Sequence, residues 1–276
     1  MKTYSWTNLN FSIDSPYMDV DLWLPGFHEP NEEKCQCTIV SYFTNHLARK
    51  ESFIYSNNLF GVWQEKKVEY RQFFNSDFAV YAELQDFGNR KSLYIKENTS
   101  NDLIRYSLLN HLALDKTMSE HGRLLLHASF IETAQGAVLF SAPSGTGKST
   151  QAELWRRYRG AAVINGDRAG LWRGETGWLA GGVPWCGTSG ISLNRILPLR
   201  AVVILRQGPE NVLEVPLASE KLKALLEQTT INPWNREMYL RSQERLLDLI
   251  QSVPVVRLTC RPDAGAVELL AKELGL

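Results

Sequence analysis

The sequence predicts a mixed α/β fold with α+β character: a smaller, mainly β N-terminal part, then a compact α/β part. Three observations carry this. Residues 1 to about 97 hold short, aromatic-rich apolar runs separated by polar, turn-forming stretches. From Leu124 onward, apolar strand-like runs alternate with amphipathic stretches. Between Gly136 and Tyr158 a buried strand, a glycine-bearing loop and a helix follow one another directly.

The chain has 276 residues, enough for one large domain or two modest ones. The divisions expected are a β part over 1–98, a bridging helix within 99–121 and an α/β part over 122–276. In the first block the runs Val20–Leu24, Cys37–Phe43, Ser52–Tyr55, Phe78–Ala82 and Ser92–Ile95 read as strands of a mostly antiparallel sheet. Glu29–Glu33 and Gly88–Lys91 read as connections. The aromatics carry no regular interleaving of basic residues, so they read as core rather than as a base-stacking platform. Over 100–118, Ser100 or Asn101 can cap a helix whose Leu103, Ile104, Leu108, Leu112 and Leu114 keep one side apolar.

In the second block Leu124–Glu132 reads as a strand, Thr133–Gly136 as a hairpin turn and Gly136–Ser141 as its partner strand. A helix over Gln151–Tyr158, a buried strand over Ala161–Asn165 and a hairpin of Ala169–Arg173 with Trp178–Ala180 come next. The strand Ala201–Arg206, helices near 218–229 and 234–250, the strand Val253–Leu258 and a helix over 263–274 complete the set.

Acidic and basic residues balance at 30 each, so no charge excess points to nucleic acid or to a membrane surface. No apolar run approaches a bilayer span, and the first residues lack the apolar core of a signal peptide, so a cytoplasmic protein is expected. Cys35 and Cys37 are one residue apart, with no second Cys/His pair at ligand spacing, which argues against a zinc site.

Chemistry concentrates in the loop Ala142-Pro-Ser-Gly-Thr-Gly-Lys-Ser149. It meets the pattern of a phosphate-binding loop, with Ala142 in place of the first glycine. Ser144, Gly145, Thr146 and Gly147 would turn backbone N–H groups toward a phosphate tail, because the two glycines allow a tight curl. The helix that follows, starting near Lys148 and including Ser149 and Thr150, adds its unpaired N–H groups and positive dipole end. Lys148 can reach the terminal phosphates as a point charge. The Ser149 hydroxyl can ligate Mg²⁺, which prefers hard oxygen ligands.

Asp167 lies nineteen residues after Lys148, just past a strand. It can hold Mg²⁺ directly or through water, or accept a proton from an attacking hydroxyl. His127, in an otherwise apolar strand, can orient an acceptor or stabilise phosphate charge. The glycine-rich segment Gly181–Gly190 reads as a lid over substrate or phosphate. Arg168, Arg195 and Arg206 are candidates to neutralise transition-state charge, with Arg206 preferred because it ends a strand.

Leu126-His-Ala-Ser129, Ser144-Gly-Thr-Gly-Lys-Ser149, Gly166-Asp-Arg168, Pro184-Trp-Cys-Gly187 and Cys260-Arg-Pro-Asp263 together resemble the catalytic domain of HPr kinase/phosphorylase. They resemble more closely its shorter relatives from ribosomal-peptide maturation pathways. The resemblance covers about 122–276. It implies the fold shared with phosphoenolpyruvate carboxykinase, use of ATP or another phosphoryl donor with Mg²⁺, and phosphorylation of a hydroxyl, often serine. It maps the family's histidine to His127, its loop lysine and hydroxyl to Lys148 and Ser149, and its paired aspartates to Gly166 and Asp167. One carboxylate of that pair is therefore absent here. The first hundred residues do not resemble the regulatory domain of the bacterial enzyme.

The expected function is a Mg²⁺- and ATP-dependent kinase acting on a serine or threonine hydroxyl of a peptide or small protein. Asp167, His127, Lys148 and Arg206 are its catalytic group, and Ser149 and Asp167 its metal ligands. A nucleotide-binding accessory protein without turnover and a small-molecule kinase, for example on free serine, are the alternatives. Homo-oligomerisation stays open.

Overall fold

The computed structural model describes residues 1–15, 20–24, 26–29, 35–106 and 108–276. The chain divides into two compact units, one of Met1–Met118 with Asn232–Arg236, the other of Ser119–Ile231 with Glu237–Leu276. Among the described residues no helix is long and apolar enough to cross a membrane.

The N-terminal unit holds β1 (Lys2–Trp6), β2 (Leu9–Asp14), the short α1 (Val20–Trp23), β3 (Cys37–Thr44), β4 (Tyr55–Ser56), β5 (Phe60–Glu65), β6 (Val68–Phe74), β7 (Val80–Asp86) and β8 (Arg90–Lys96). The strands form one sheet in the order β1-β2-β3-β8-β7-β6-β5-β4. Pairing is antiparallel except at β2–β3 and β3–β8. Thr7 and Asn8, both at positive φ, make the tight turn between β1 and β2, a hairpin with no Asn-Gly or Asp-Gly to announce it. The run Val20–Leu24 is a helical turn rather than a strand. Of Ser52–Tyr55 only Tyr55 enters a strand. From residue 30 on, the connection expected over Glu29–Glu33 lies outside the described residues.

The stretch 100–118 is three short helices, α2 (Asn101–Tyr106), α3 (Leu108–His111) and α4 (Leu114–Glu120), rather than one. Ala113 sits at φ +44, a conformation no helix interior accepts, and separates the last two.

Charge is buried in this unit. The Arg71 guanidinium, fully buried, donates to Glu69 at 2.9 Å and lies 3.3 Å from Asp115. Lys91, also fully buried, lies 2.7 Å from Asp86, which Lys116 reaches at 2.9 Å. Trp234 caps one side. Its ring packs on Tyr55 and Phe60, the Arg71 guanidinium lies 5.3 Å from its centre, and its indole N–H donates to Glu69.

The C-terminal unit runs β9 (Leu124–Thr133), β10 (Gly136–Ser141), α5 (Lys148–Arg159), β11 (Ala162–Asn165), β12 (Arg168–Arg173), β13 (Trp178–Gly182), β14 (Ile196–Gln207), β15 (Val212–Glu214), α6 (Ala218–Gln228), α7 (Arg236–Ser252), β16 (Val255–Cys260) and α8 (Ala264–Leu274). Two long strands are shared. The first half of β9 pairs with β12, and its second half pairs with β10 on one edge and β11 on the other. The start of β14 pairs with β13, and its remainder lies parallel to both β10 and β16.

Helices cover both faces, and the two-residue alternation of the strands decides which residue meets which helix. Val138 and Phe140 join Ala152 and Trp155 of α5 and Val267, Leu270 and Leu274 of α8. Ala137 and Leu139 join Leu225 of α6 and Leu246 and Leu249 of α7. β10 is buried on both sides, which accounts for its unbroken apolar run.

Candidate functional site

β9 organises the candidate site because residues singled out in the sequence lie along both its edges. On one edge β10 ends at Ser141, whose hydroxyl donates to the His127 carbonyl at 3.0 Å, and the phosphate-loop motif starts at the next residue. On the other edge Arg168 pairs with His127 and the Ala128 N–H donates to the Asp167 carbonyl at 2.9 Å. The Asp167 turn and the loop thus sit on opposite sides of a single strand residue.

The loop has an anion-cradle form. Gly145 and Gly147 lie at φ +79 and +109, and open space stands where a Cβ on either would point. Gly147 is the N-cap of α5 and no side chain satisfies the first N–H groups of that helix. Uncapped N–H groups at a helix start are the standard donors for a phosphate. Ser149 and Thr150, in the first turn, are exposed. The Lys148 side chain is buried and folds back along the loop, its ammonium donating to the Ala142 and Pro143 carbonyls at 2.9 and 3.2 Å. Burial holds its pKa below the ordinary lysine value, and the Asp167 charge opposes that fall.

Asp167 sits in the two-residue turn between β11 and β12. His127 Nε2 lies 3.4 Å from its Oδ1, and Arg168 Nε lies 3.3 Å from its Oδ2. The other His127 ring nitrogen faces the Gln228 side chain at 3.1 Å. The Asp167 carboxyl is held below its ordinary value, chiefly by the hydrogen bond from His127. Burial pushes the other way, and Arg168, His127 and Lys148 add their charges. The Asp167 charge raises the Lys148 pKa and the Lys148 charge lowers that of Asp167.

The remaining arginines divide. Arg206 lines a cleft of about 730 Å³ together with Ser144, Gly145 and Thr146 of the loop and Lys223 and Glu227 of α6. Arg195 pairs with Glu132 at 2.6 Å. Arg168, besides Asp167, donates to the Thr230 hydroxyl at 2.7 Å. Among the described residues no group of three or more His, Cys, Asp and Glu converges as a metal site. A cation here would rest on one carboxylate, a hydroxyl and a ligand's own oxygens, a donor set that suits Mg²⁺.

No protein family matches the chain, and no curated protein does. Among solved structures it is similar to the HPr(Ser) kinase/phosphatase from Coxiella burnetii, at 15% identity. That match covers 46% of this chain and 90% of the other, with a TM-score of 0.22. A likeness this slight assigns no activity.

Sequence reasoning missed three groups. Asn165, fully buried, anchors the Asp167 turn. Ser129, also buried, donates to the Gly166 carbonyl at 3.0 Å. Gln228 meets His127 across a hundred residues of chain. A buried polar residue ending an apolar strand was the available signal for Asn165, and Gln228 left none.

Proposed function

We propose that the C-terminal unit is a Mg²⁺- and ATP-dependent phosphotransferase acting on a hydroxyl, that of a serine or threonine in a peptide or small protein. The observation that supports it is the pairing, across one residue of β9, of an open phosphate-loop motif with a carboxylate–imidazole couple. The residues fit the implied group. The uncapped N–H groups of α5, the amides of Ser144–Gly147 and Lys148 would hold the phosphates. Ser149 and Asp167 would hold the Mg²⁺, and ATP supplies the transferable phosphoryl group when bound. Asp167 would accept the proton of the acceptor hydroxyl, with His127 fixing the carboxylate's orientation. Arg206 would face the transferring group from the neighbouring cleft. Catalysis of this kind is positioning and charge stabilisation. The N-terminal unit would dock a partner or the substrate.

The test is incubation with γ-labelled ATP, Mg²⁺ and candidate peptide and amino-acid acceptors, read by mass spectrometry. A phosphate adduct formed by the parent and lost in Lys148→Ala supports the reading. Transfer at the parent rate in that variant rules it out.

A specific observation favours a second reading, nucleotide binding without turnover. A second carboxylate next to Asp167 has no room: a Cβ on Gly166 would stand 2.1 Å from the Ser189 hydroxyl oxygen. Tight nucleotide binding with no adduct on any acceptor would select it.

A further inference from the structure

Asn165 uses its whole hydrogen-bonding capacity. Its side-chain oxygen accepts from the N–H groups of Asp167 and Arg168, both at 2.9 Å. Its side-chain nitrogen donates to the Val183 and Trp185 carbonyls, both at 2.8 Å. Two acceptor positions and two donors are filled, and the residue is fully buried. The oxygen faces only donors and the nitrogen only acceptors, so the amide has one orientation.

The four bonds join two different segments. One is the turn that carries Asp167. The other is the glycine-rich loop leaving β13. That loop returns along the same turn, with Leu193 N–H donating to Ile164 O at 2.9 Å and Gly166 N–H to Ile191 O at 3.4 Å. The Ser192 hydroxyl donates to Val183 O at 2.7 Å. Contact continues over the carboxylate. A Cβ on Gly187, at φ +55, would stand 2.9 Å from the Asp167 carboxyl carbon.

Capping the turn alone would not require asparagine. An aspartate accepts from the same two N–H groups. Only the amide also donates to the loop. We infer that Asn165 is a positioning residue that locks the 183–193 loop to Asp167, so that loop and carboxylate move as one body. This rests on the phosphotransferase reading for its catalytic consequence, but the coupling itself is measurable without it.

The test is native-state hydrogen exchange on the full chain, with Asn165→Asp and Asn165→Ser beside the parent. In the parent, the amides of Asp167 and Arg168 and those of Gly166 and Leu193 should open with the same free energy. In Asn165→Asp the turn keeps its acceptor and the ionised carboxylate has no donor for the loop; in Asn165→Ser the short hydroxyl keeps an acceptor and leaves at most one O–H in place of the two amide donors. Protection at Asp167 and Arg168 should persist while Leu193 exchanges roughly ten- to hundredfold faster. With labelled ATP, both variants should keep the parent's nucleotide affinity and lose kcat by about tenfold or more. Unequal opening in the parent, an unchanged loop in the variants, or a freed loop with unchanged kcat would each overturn the inference. If a variant fails to fold, the parent's exchange pattern still decides. A parent that transfers no phosphate sinks the phosphotransferase reading alone, since exchange still measures the coupling.

Discussion

His127 Nε2 lies 3.4 Å from Asp167 Oδ1, and the backbone register of β9 with β12 holds the two together. The contact keeps the carboxylate ionised below the usual carboxylate range, against the upward push of its burial. The native pKa is depressed, so the stabilisation it gives is present above the unfolded carboxylate value. It is lost as pH falls through the lowered native value. His127→Ala should raise the Asp167 pKa and move the acid limb of activity to higher pH. Carboxyl ¹³C NMR titration of the two proteins measures the first effect, and a pH–rate profile the second.

Gly166 has no room for a side chain because Ser189 fills the space. Gly166→Ala should destabilise the C-terminal unit by about 1–3 kcal/mol, the usual cost of overpacking. Adding Ser189→Gly should restore most of that loss, since the obstructing atoms are then gone. Urea denaturation of the two single variants and the double variant gives the coupling directly.

Asp86 and Lys91 form a buried pair in the N-terminal unit, with Lys116 alongside. Burial pushes the Asp86 carboxyl up, yet Lys91 and Lys116 together hold it below its ordinary value. Lys91→Met should cost about 3 kcal/mol at neutral pH, because one partner of a buried charge is removed. With only Lys116 left to offset burial, Asp86 should titrate higher in the variant than in the parent, so falling pH should cost the variant less stability than it costs the parent. Thermal melts from pH 7 to pH 4 would show the two curves converging.

Trp234 spreads its ring over Tyr55, Phe60 and the Arg71 guanidinium and donates its N–H to Glu69. Trp234→Ala should destabilise the N-terminal unit by about 3 kcal/mol. Trp234→Phe keeps a six-membered ring for stacking and loses the pyrrole half with its N–H, so it should cost less than the alanine variant, about 1–2 kcal/mol. Equal effects in chemical denaturation would mean the stacking contributes little.

Local features were the legible ones. The strand, loop and helix around Lys148 follow one another without interruption, and glycines, a buried strand and an amphipathic helix are each visible within a few residues. The same holds for the helices at 218–228 and 264–274 and for the hairpin of β12 with β13. What stayed hidden depends on register between distant segments. Nothing in the residues around His127 says that Arg168 pairs opposite it. The Asn-Gly-Asp run reads as a turn, but the second pair of bonds made by Asn165 reaches twenty residues ahead. The run Val20–Leu24 carries strand-favouring residues and became a helical turn, a case of context overriding propensity. The break at Ala113 has no glycine or proline to mark it.

Because β9 is bonded at once to β10, β11 and β12, the parts of the site cannot arise at the same moment. The β9–β10 hairpin closes over a few residues, so the loop behind Ser141 can take shape early. His127 meets Asp167 only after some forty residues of intervening chain have been drawn in, and loop closure of that kind is slower than local pairing. Contact order therefore favours closure of the β9–β10 hairpin ahead of the His127–Asp167 contact.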